Sequence, residues 1–263
     1  MKADKIIGIY FSPTGNTAKV VNAIGERIDR KKYQPLDLTR PSDRGEHRTF
    51  GPDELLIIGA PVYRGRLPKI MVEELKKMRG TATHVVLLVT YGNKRIDDAI
   101  VELKDILEKQ GFLPFAAASF PGQHSFNKEI AYNRPDAKDL RIAEEFADKI
   151  HEQIEKLNHK KVCFTVPGDR PYIKAGSVSE IPFYPKTSSN CIYCMLCSQY
   201  CPAGAISFSN PKEIDPEKCI RCTACIRVCP VQAKQMTPGV YETFVDKITN
   251  ERSLRRKEPW YFV

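Results

Sequence analysis

Phe11-Ser12-Pro13-Thr14-Gly15-Asn16-Thr17 follows the apolar run Lys5-Ile6-Ile7-Gly8-Ile9-Tyr10 and leads straight into Ala18-Lys19-Val20-Val21. A strand, a loop of small hydroxyl-bearing residues and a helix are therefore expected in immediate succession. Such a loop binds phosphate. The first-turn amides of the helix point outward with the positive end of its dipole, Gly15 permits close approach, and Ser12, Thr14 and Thr17 add further donors. The GxxxxGK(S/T) form of nucleoside-triphosphate loops and the GxGxxG dinucleotide fingerprint are both missing, so a monophosphate ester fits better. An ordinary helix cap needs one such residue, not three.

Working outward, apolar runs of strand length alternate with amphipathic stretches of helical length over the first 160 residues, the pattern of βαβ units on a parallel sheet. Strands are expected over 5–11, 34–38, 54–60, 83–90 and 112–120, and helices over 16–30, 69–78, 96–110 and 137–158. Gly111 is placed to stop the third helix and Asp136 to cap the fourth.

The C-terminal part has a different character. Eight of the nine cysteines form two copies of CxxCxxCxxxCP, at Cys191, Cys194, Cys197, Cys201 and, 28 residues on, at Cys219, Cys222, Cys225, Cys229. In paired iron–sulfur sites three cysteines of one copy share a cluster with the fourth cysteine of the other. That rule assigns Cys191, Cys194, Cys197 and Cys229 to one 4Fe-4S cluster, and Cys219, Cys222, Cys225 and Cys201 to a second. Zinc fits the terminal CxxxCP poorly. Disulfides are a weaker rival, because the opening MKADKIIGIYFS has no basic-plus-apolar secretory segment and a reducing, cytoplasmic location is expected. No apolar run approaches the roughly 18 residues of a membrane span.

Ser12-x-Thr14-Gly15-Asn16-Thr17 after a first strand resembles the FMN phosphate loop of flavodoxins. The resemblance implies a doubly wound five-stranded parallel sheet of order 2-1-3-4-5, an α/β fold, with the flavin ring beside the loops leaving the third and fourth strands. Those loops are Pro61-Val62-Tyr63-Arg64-Gly65-Arg66-Leu67-Pro68 and Tyr91-Gly92-Asn93-Lys94-Arg95. In that family an aromatic from each loop often sandwiches the ring, and Tyr63 and Tyr91 occupy the matching places. The full order resembles the flavodoxin–ferredoxin fusion proteins of anaerobes. It implies an FMN domain over 1–160, a proline-rich connector over 161–186, a small α+β ferredoxin domain over 187–240 and a tail over 241–263. Many ferredoxins carry glycine after the second cysteine; here Met195 and Thr223 stand there.

The chain has 263 residues and a formal charge of +9. Two thiolate-bound clusters and a flavin phosphate would bring this to about +3, so no nucleic-acid partner is expected. Lys186, Lys212, Lys218, Arg221, Arg227 and Lys234 near the cysteines either offset thiolate charge, dock an acidic partner or form a solvated surface. Arg64, Arg66, Lys94 and Arg95 predict a less negative flavin potential than in acidic flavodoxins, unless they face solvent or hold an anionic substrate. His124 is a candidate donor to the ring or to a substrate. Cys163 reads most simply as a buried apolar residue. The tail ending Trp260-Tyr261-Phe262-Val263 is expected to pack back as a clasp or to meet a partner.

The leading expectation is an electron-transfer flavoprotein carrying FMN and two 4Fe-4S clusters, exchanging electrons with redox protein partners, with homodimerisation open. The alternative is an FMN-dependent reductase of a small quinone- or disulfide-type oxidant, with His124, Arg64 and Lys94 at its substrate.

Overall fold

A computed structural model describes residues 3–157, 161–174 and 181–263; the connector's Gly176 and the expected helix end at Asn158 lie outside them. In chain order the elements are β1 (Lys5–Tyr10), α1 (Asn16–Asp29), β2 (Tyr33–Asp37), β3 (Arg48–Phe50), β4 (Glu54–Pro61), α2 (Lys69–Leu75), β5 (Met78–Gly80), β6 (Thr83–Tyr91), α3 (Ala99–Lys109), β7 (Phe112–Pro121) and α4 (Ala137–Ile154). There follow β8 (Pro185–Thr187), α5 (Leu196–Gln199), α6 (Ala224–Arg227), β9 (Lys234–Met236), α7 (Val240–Ile248), α8 (Glu251–Leu254) and β10 (Trp260–Phe262).

The main sheet runs β10-β7-β6-β4-β1-β2. Its five strands from the first half of the chain are all parallel, in the 2-1-3-4-5 order when counted among themselves. Alternate side chains of each central strand feed opposite faces, and both faces are covered. Leu55 and Ile57 of β4 join Val20, Val21 and Ile24 of α1 and Phe146 and Ile150 of α4. Leu56 and Ile58 join Met71 and Leu75 of α2 and Leu103 and Leu107 of α3. This double coverage is why β4 and β6 read as unbroken apolar runs.

The sixth strand was not expected in the sheet. β10 pairs antiparallel with β7, Tyr261 opposite Ala118, so the C-terminal residues close an edge that would otherwise stand open. Of the two roles left open for the tail, the structure shows the intramolecular one. Tyr261 packs on Phe146 with ring centroids 5.2 Å apart, and Phe262 stacks on Phe164 at 5.0 Å. Val162 and Phe164 turn toward the core while Cys163 between them is exposed, which corrects the reading of Cys163 as buried. In an extended segment, successive side chains face opposite ways.

Other boundaries shift for local reasons. α2 stops at Leu75 because 78–80 pairs as β5 with β3 in a separate two-stranded sheet. α3 begins at Ala99, not 96, because Asp97 takes a positive φ of 40°. Asp136 does cap α4, accepting from the backbone N–H of Lys138 (2.9 Å) and Asp139 (3.1 Å). The cysteine-rich segment is built on α5, α6 and the β8–β9 pair. It is tied to the sheet domain by Arg44 donating to Pro202 O (2.6 Å) and by the ring contacts of Phe183 with Phe126, Tyr241 and Phe244.

Candidate functional site

The phosphate-type loop turns at Gly15, whose φ of 85° is the left-handed conformation glycine adopts without cost. The Ala18 N–H donates to Ser12 Oγ (3.0 Å), which leaves the Ser12 hydroxyl hydrogen available to an anion. Ser12 is itself held by its N–H to Thr39 Oγ1 (2.8 Å). No acidic residue occupies the first turn of α1, so its unpaired amides face no competing carboxylate. Thr17 differs from expectation. It is buried, and its hydroxyl shares a 2.6 Å hydrogen bond with Thr90 Oγ1, so it braces α1 against β6 at least as much as it serves a ligand.

Above the carboxyl ends of β1, β4 and β6 lies a cavity of about 610 Å³. Ser12, Thr14, Asn16, Thr17, Pro61, Val62, Tyr63, Arg64, Gly65, Tyr91, Gly92 and Asn93 all line it; Gly15 shapes the backbone path and is not among the lining residues. The sequence reading missed one whole wall. Phe244, Ile248, Asn250, Ser253 and Lys257 of the tail close the cavity, and Ile220 and Arg221 enter from the cysteine-rich segment. The signal available was the i, i+4 pair Phe244 and Ile248 on a short amphipathic stretch.

Asn93 tests whether a flavin fits. Its side-chain Nδ2 donates to Ser253 O (2.8 Å) and Arg255 O (2.9 Å), which fixes the amide orientation. Its Oδ1 is buried and has no partner among the described residues. A buried acceptor left unpaired costs about 1–3 kcal/mol, and the imide N–H of an isoalloxazine is a donor of the required kind. The residues present therefore fit that group.

Two of the four cations the sequence sets beside the ring loops are paired with carboxylates, while Arg221 and Lys257 bring two more to the cavity. Arg66 is spent on Glu102 through two bonds of 2.9 and 2.6 Å, and Arg95 pairs with Asp97 at 3.0 Å. Lys94 donates to Ile248 O (3.2 Å), and burial with the nearby Arg95 draws its pKa down. Arg64 lines the cavity and is exposed.

His124 lines the same cavity, packed so closely that a Cβ on Gly92 would lie 2.4 Å from its ring. The Phe126 N–H donates to Nδ1 (3.1 Å), which places the proton of the neutral imidazole on Nε2. Burial, then Lys94, lowers its pKa to about 4. The folded state thus takes up this proton later than the unfolded chain. The stability His124 contributes is complete above pH 6.5 and is lost as pH falls toward 4, by at most about 3 kcal/mol. Urea unfolding of the apoprotein across that window should show this loss, and His124→Gln should remove it.

The eight motif cysteines gather in two sets. Cys191, Cys194, Cys197 and Cys229 surround one small cavity, and Cys201, Cys219, Cys222 and Cys225 surround another. Among the described residues no three His, Cys, Asp or Glu side chains converge as they would on a single ion. The fourth cysteine of each copy accepts a backbone bond from four residues on, Ala205 N–H to Cys201 Sγ (3.3 Å) and Ala233 N–H to Cys229 Sγ (3.1 Å). Burial raises the pKa of Cys197, Cys219 and Cys222 and lifts Cys225 to about 12. Thiolates in such a pocket require a bound cation, which is the chemistry iron supplies. Met195 and Thr223, where glycine is common, hold positive φ of 60° and 67°. Each carries a strain of about 1 kcal/mol that glycine would not.

The fold and the cysteine sets define a flavodoxin-like sheet joined to a cysteine-rich segment of the iron–sulfur type. Residues 190–233 match the family model of the 4Fe-4S dicluster domain. That segment follows a sheet of the order that the flavodoxin resemblance implied. Among solved structures it is similar to a flavodoxin from the domain Archaea, at 17% identity over 57% of this chain and 99% of that one, with a TM-score of 0.39. It is also similar to oxidised flavodoxin 2 from Bacillus cereus, at 16% identity over 57% and 99%, with a TM-score of 0.43. A third is rubredoxin oxygen:oxidoreductase from the anaerobe Desulfovibrio gigas, at 13% identity and a TM-score of 0.40, over 59% of this chain but only 37% of that one. No curated protein matches the chain. Among the described residues no helix is long and apolar enough to cross a membrane.

Proposed function

We propose that the chain relays electrons between FMN, held in the large cavity, and two 4Fe-4S clusters, and exchanges them with external redox proteins. FMN handles electrons in pairs or singly and each cluster carries one, so the two kinds of group together join pair and single-electron chemistry. The observation that carries the reading is Ile220. It lines both the large cavity and the cavity of Cys201, Cys219, Cys222 and Cys225, so one side chain separates the two sites. Tyr63 supports it from the other wall, since its phenol is raised by burial and feels Cys222 and Arg227. Arg227 in turn donates to Thr14 O in the phosphate-type loop (3.5 Å).

In this reading Ser12, Thr14 and the start of α1 hold the phosphate, and Tyr63, Tyr91 and Asn93 hold the ring. The Cys201 set forms the inner cluster and the Cys191 set the outer. Anaerobic purification with iron, acid-labile sulfide and FMN counted per chain tests the assignment. The expected result is about eight, eight and one; zinc in place of iron, or a colourless preparation, overturns it.

A second reading, an FMN-dependent reductase of a small oxidant, draws on the neutral His124 with its Nε2 proton and on the tail residues that close the cavity. Rapid anaerobic turnover with one small quinone or disulfide, but not with protein carriers, would favour it over the relay.

A further inference from the structure

Lys234 is 2% exposed, yet among the described residues no carboxylate pairs with it. Its ammonium donates to Thr187 Oγ1 (2.6 Å) and to Pro211 O, both neutral acceptors, which leaves one of its three N–H groups unassigned. Lys234, Thr187 and Pro211 all line the cavity of the Cys191 set. A buried cation held only by neutral oxygens is costly unless an anion lies beside it. Here the surroundings that would supply that anion are the thiolate-bound sites themselves.

The two copies differ at this point. Counting from Cys201-Pro202 and from Cys229-Pro230, Ile206 in the first copy stands where Lys234 stands in the second. Ile206 is buried against Cys201 and Ala205 and lines the inner cavity. One cavity is therefore walled by an apolar side chain and the other by an ammonium.

We propose that Lys234 is the internal counter-ion of the outer cluster and holds its potential above that of the inner one. The inference rests on the two-cluster reading. Reducing a 4Fe-4S cluster adds one electron from an external one-electron donor and breaks no bond; the charge at Lys234 is unchanged. An added negative charge is stabilised by a nearby buried cation, which water and salt screen little. Electrons then collect on the outer cluster, beside the exposed Cys194. Lys234 is a positioning residue in this role, setting where the electron rests.

The test is a potentiometric titration of the holoprotein against dithionite and mediators, followed by electron paramagnetic resonance. The variants are Lys234→Met and Lys234→Gln, the second of which keeps a donor for Thr187 or Pro211. In both, one cluster couple is expected to fall by at least tenfold in its reduction equilibrium, which is 59 mV for one electron, while the other moves less. A purely structural lysine would leave the potentials in place. Variants with full iron content and both couples unmoved overturn the inference and leave the two-cluster reading standing. Loss of the outer cluster from both variants, with the fold intact by circular dichroism, also overturns it, because Lys234 would then retain the cluster and not tune it. Wild-type protein showing fewer than two reducible clusters overturns the parent reading instead.

Discussion

On the proposed two-cluster reading, serine in place of Cys201 is expected to strip about four of eight irons, and the cluster lost is the one beside the large cavity, although Cys201 belongs to the first sequence copy. Its sulfur stands with Cys219, Cys222 and Cys225, 18 or more residues away along the chain, and not with its own neighbours Cys191, Cys194 and Cys197. Cys229→Ser should do the reverse and spare the inner cluster. The two variants are therefore separable by function. Losing the inner cluster should slow electron exchange between the flavin and the remaining cluster by orders of magnitude, while losing the outer should leave that exchange near its original rate and impair exchange with external carriers. Iron counts paired with anaerobic stopped-flow traces provide the measurement. If Cys201→Ser removed the cluster of Cys191, Cys194 and Cys197, the crosswise arrangement would be wrong.

Most of the sheet domain is legible in the sequence because it is written in short-range periodicity. Parallel strands buried on both faces, such as Leu55–Ala60, read as continuous apolar runs, and α1 exposes its stripe through Val20, Val21, Ile24 and Ile28. The phosphate-type loop is legible for the same reason, because its turn at Gly15 and the start of α1 lie within seven residues of one another. The cysteine sets are legible for a different reason: the ligand spacing is dictated by the cluster, so a motif carries three-dimensional information that ordinary packing does not.

What the sequence hides is pairing between distant segments. Nothing near Asn93 announces that its amide will be held by the carbonyls of Ser253 and Arg255, some 160 residues on. Nor does a run of Trp260-Tyr261-Phe262 say whether it meets β7 or another molecule, since an apolar strand satisfies either edge equally. Charge is misread in the same way. Arg66 looks like a ligand-facing cation until Glu102, on a helix more than thirty residues later, takes its Nε and Nη2 donors. Thr17 looks like a phosphate donor until Thr90 on β6 is placed against it.

One of the tail's ties to the sheet domain runs through a buried ion pair, and Arg134→Met is expected to destabilise the protein by about 3–5 kcal/mol. Arg134 and Asp139 have side chains 3% and 0% exposed. Arg134 Nε donates to Asp139 Oδ2 (2.8 Å), and its Nη1 donates to Lys257 O (2.6 Å), so one guanidinium joins the start of α4 to the tail. Removing it leaves Asp139 charged in the interior. Two compensations remain, the Asp136 N–H at 2.9 Å and the more distant Arg256 at 3.4 Å. These set the loss nearer the lower end of that range. The carbonyl of Lys257 loses this bond as well, and Lys257 and Ser253 line the cavity proposed for FMN, so weaker FMN binding should accompany the loss of stability. Arg256→Ala, which removes the exposed contact to Asp136 at 2.7 Å, should cost far less, because a partly solvated pair contributes about 1 kcal/mol or under. Urea unfolding of the apoprotein gives the stability term, and fluorescence titration with FMN gives the affinity. The joint outcome is diagnostic. Were Arg134→Met to lose stability but bind FMN as tightly as before, the pair would serve only the core around α4, and the tail would reach the cavity without its help.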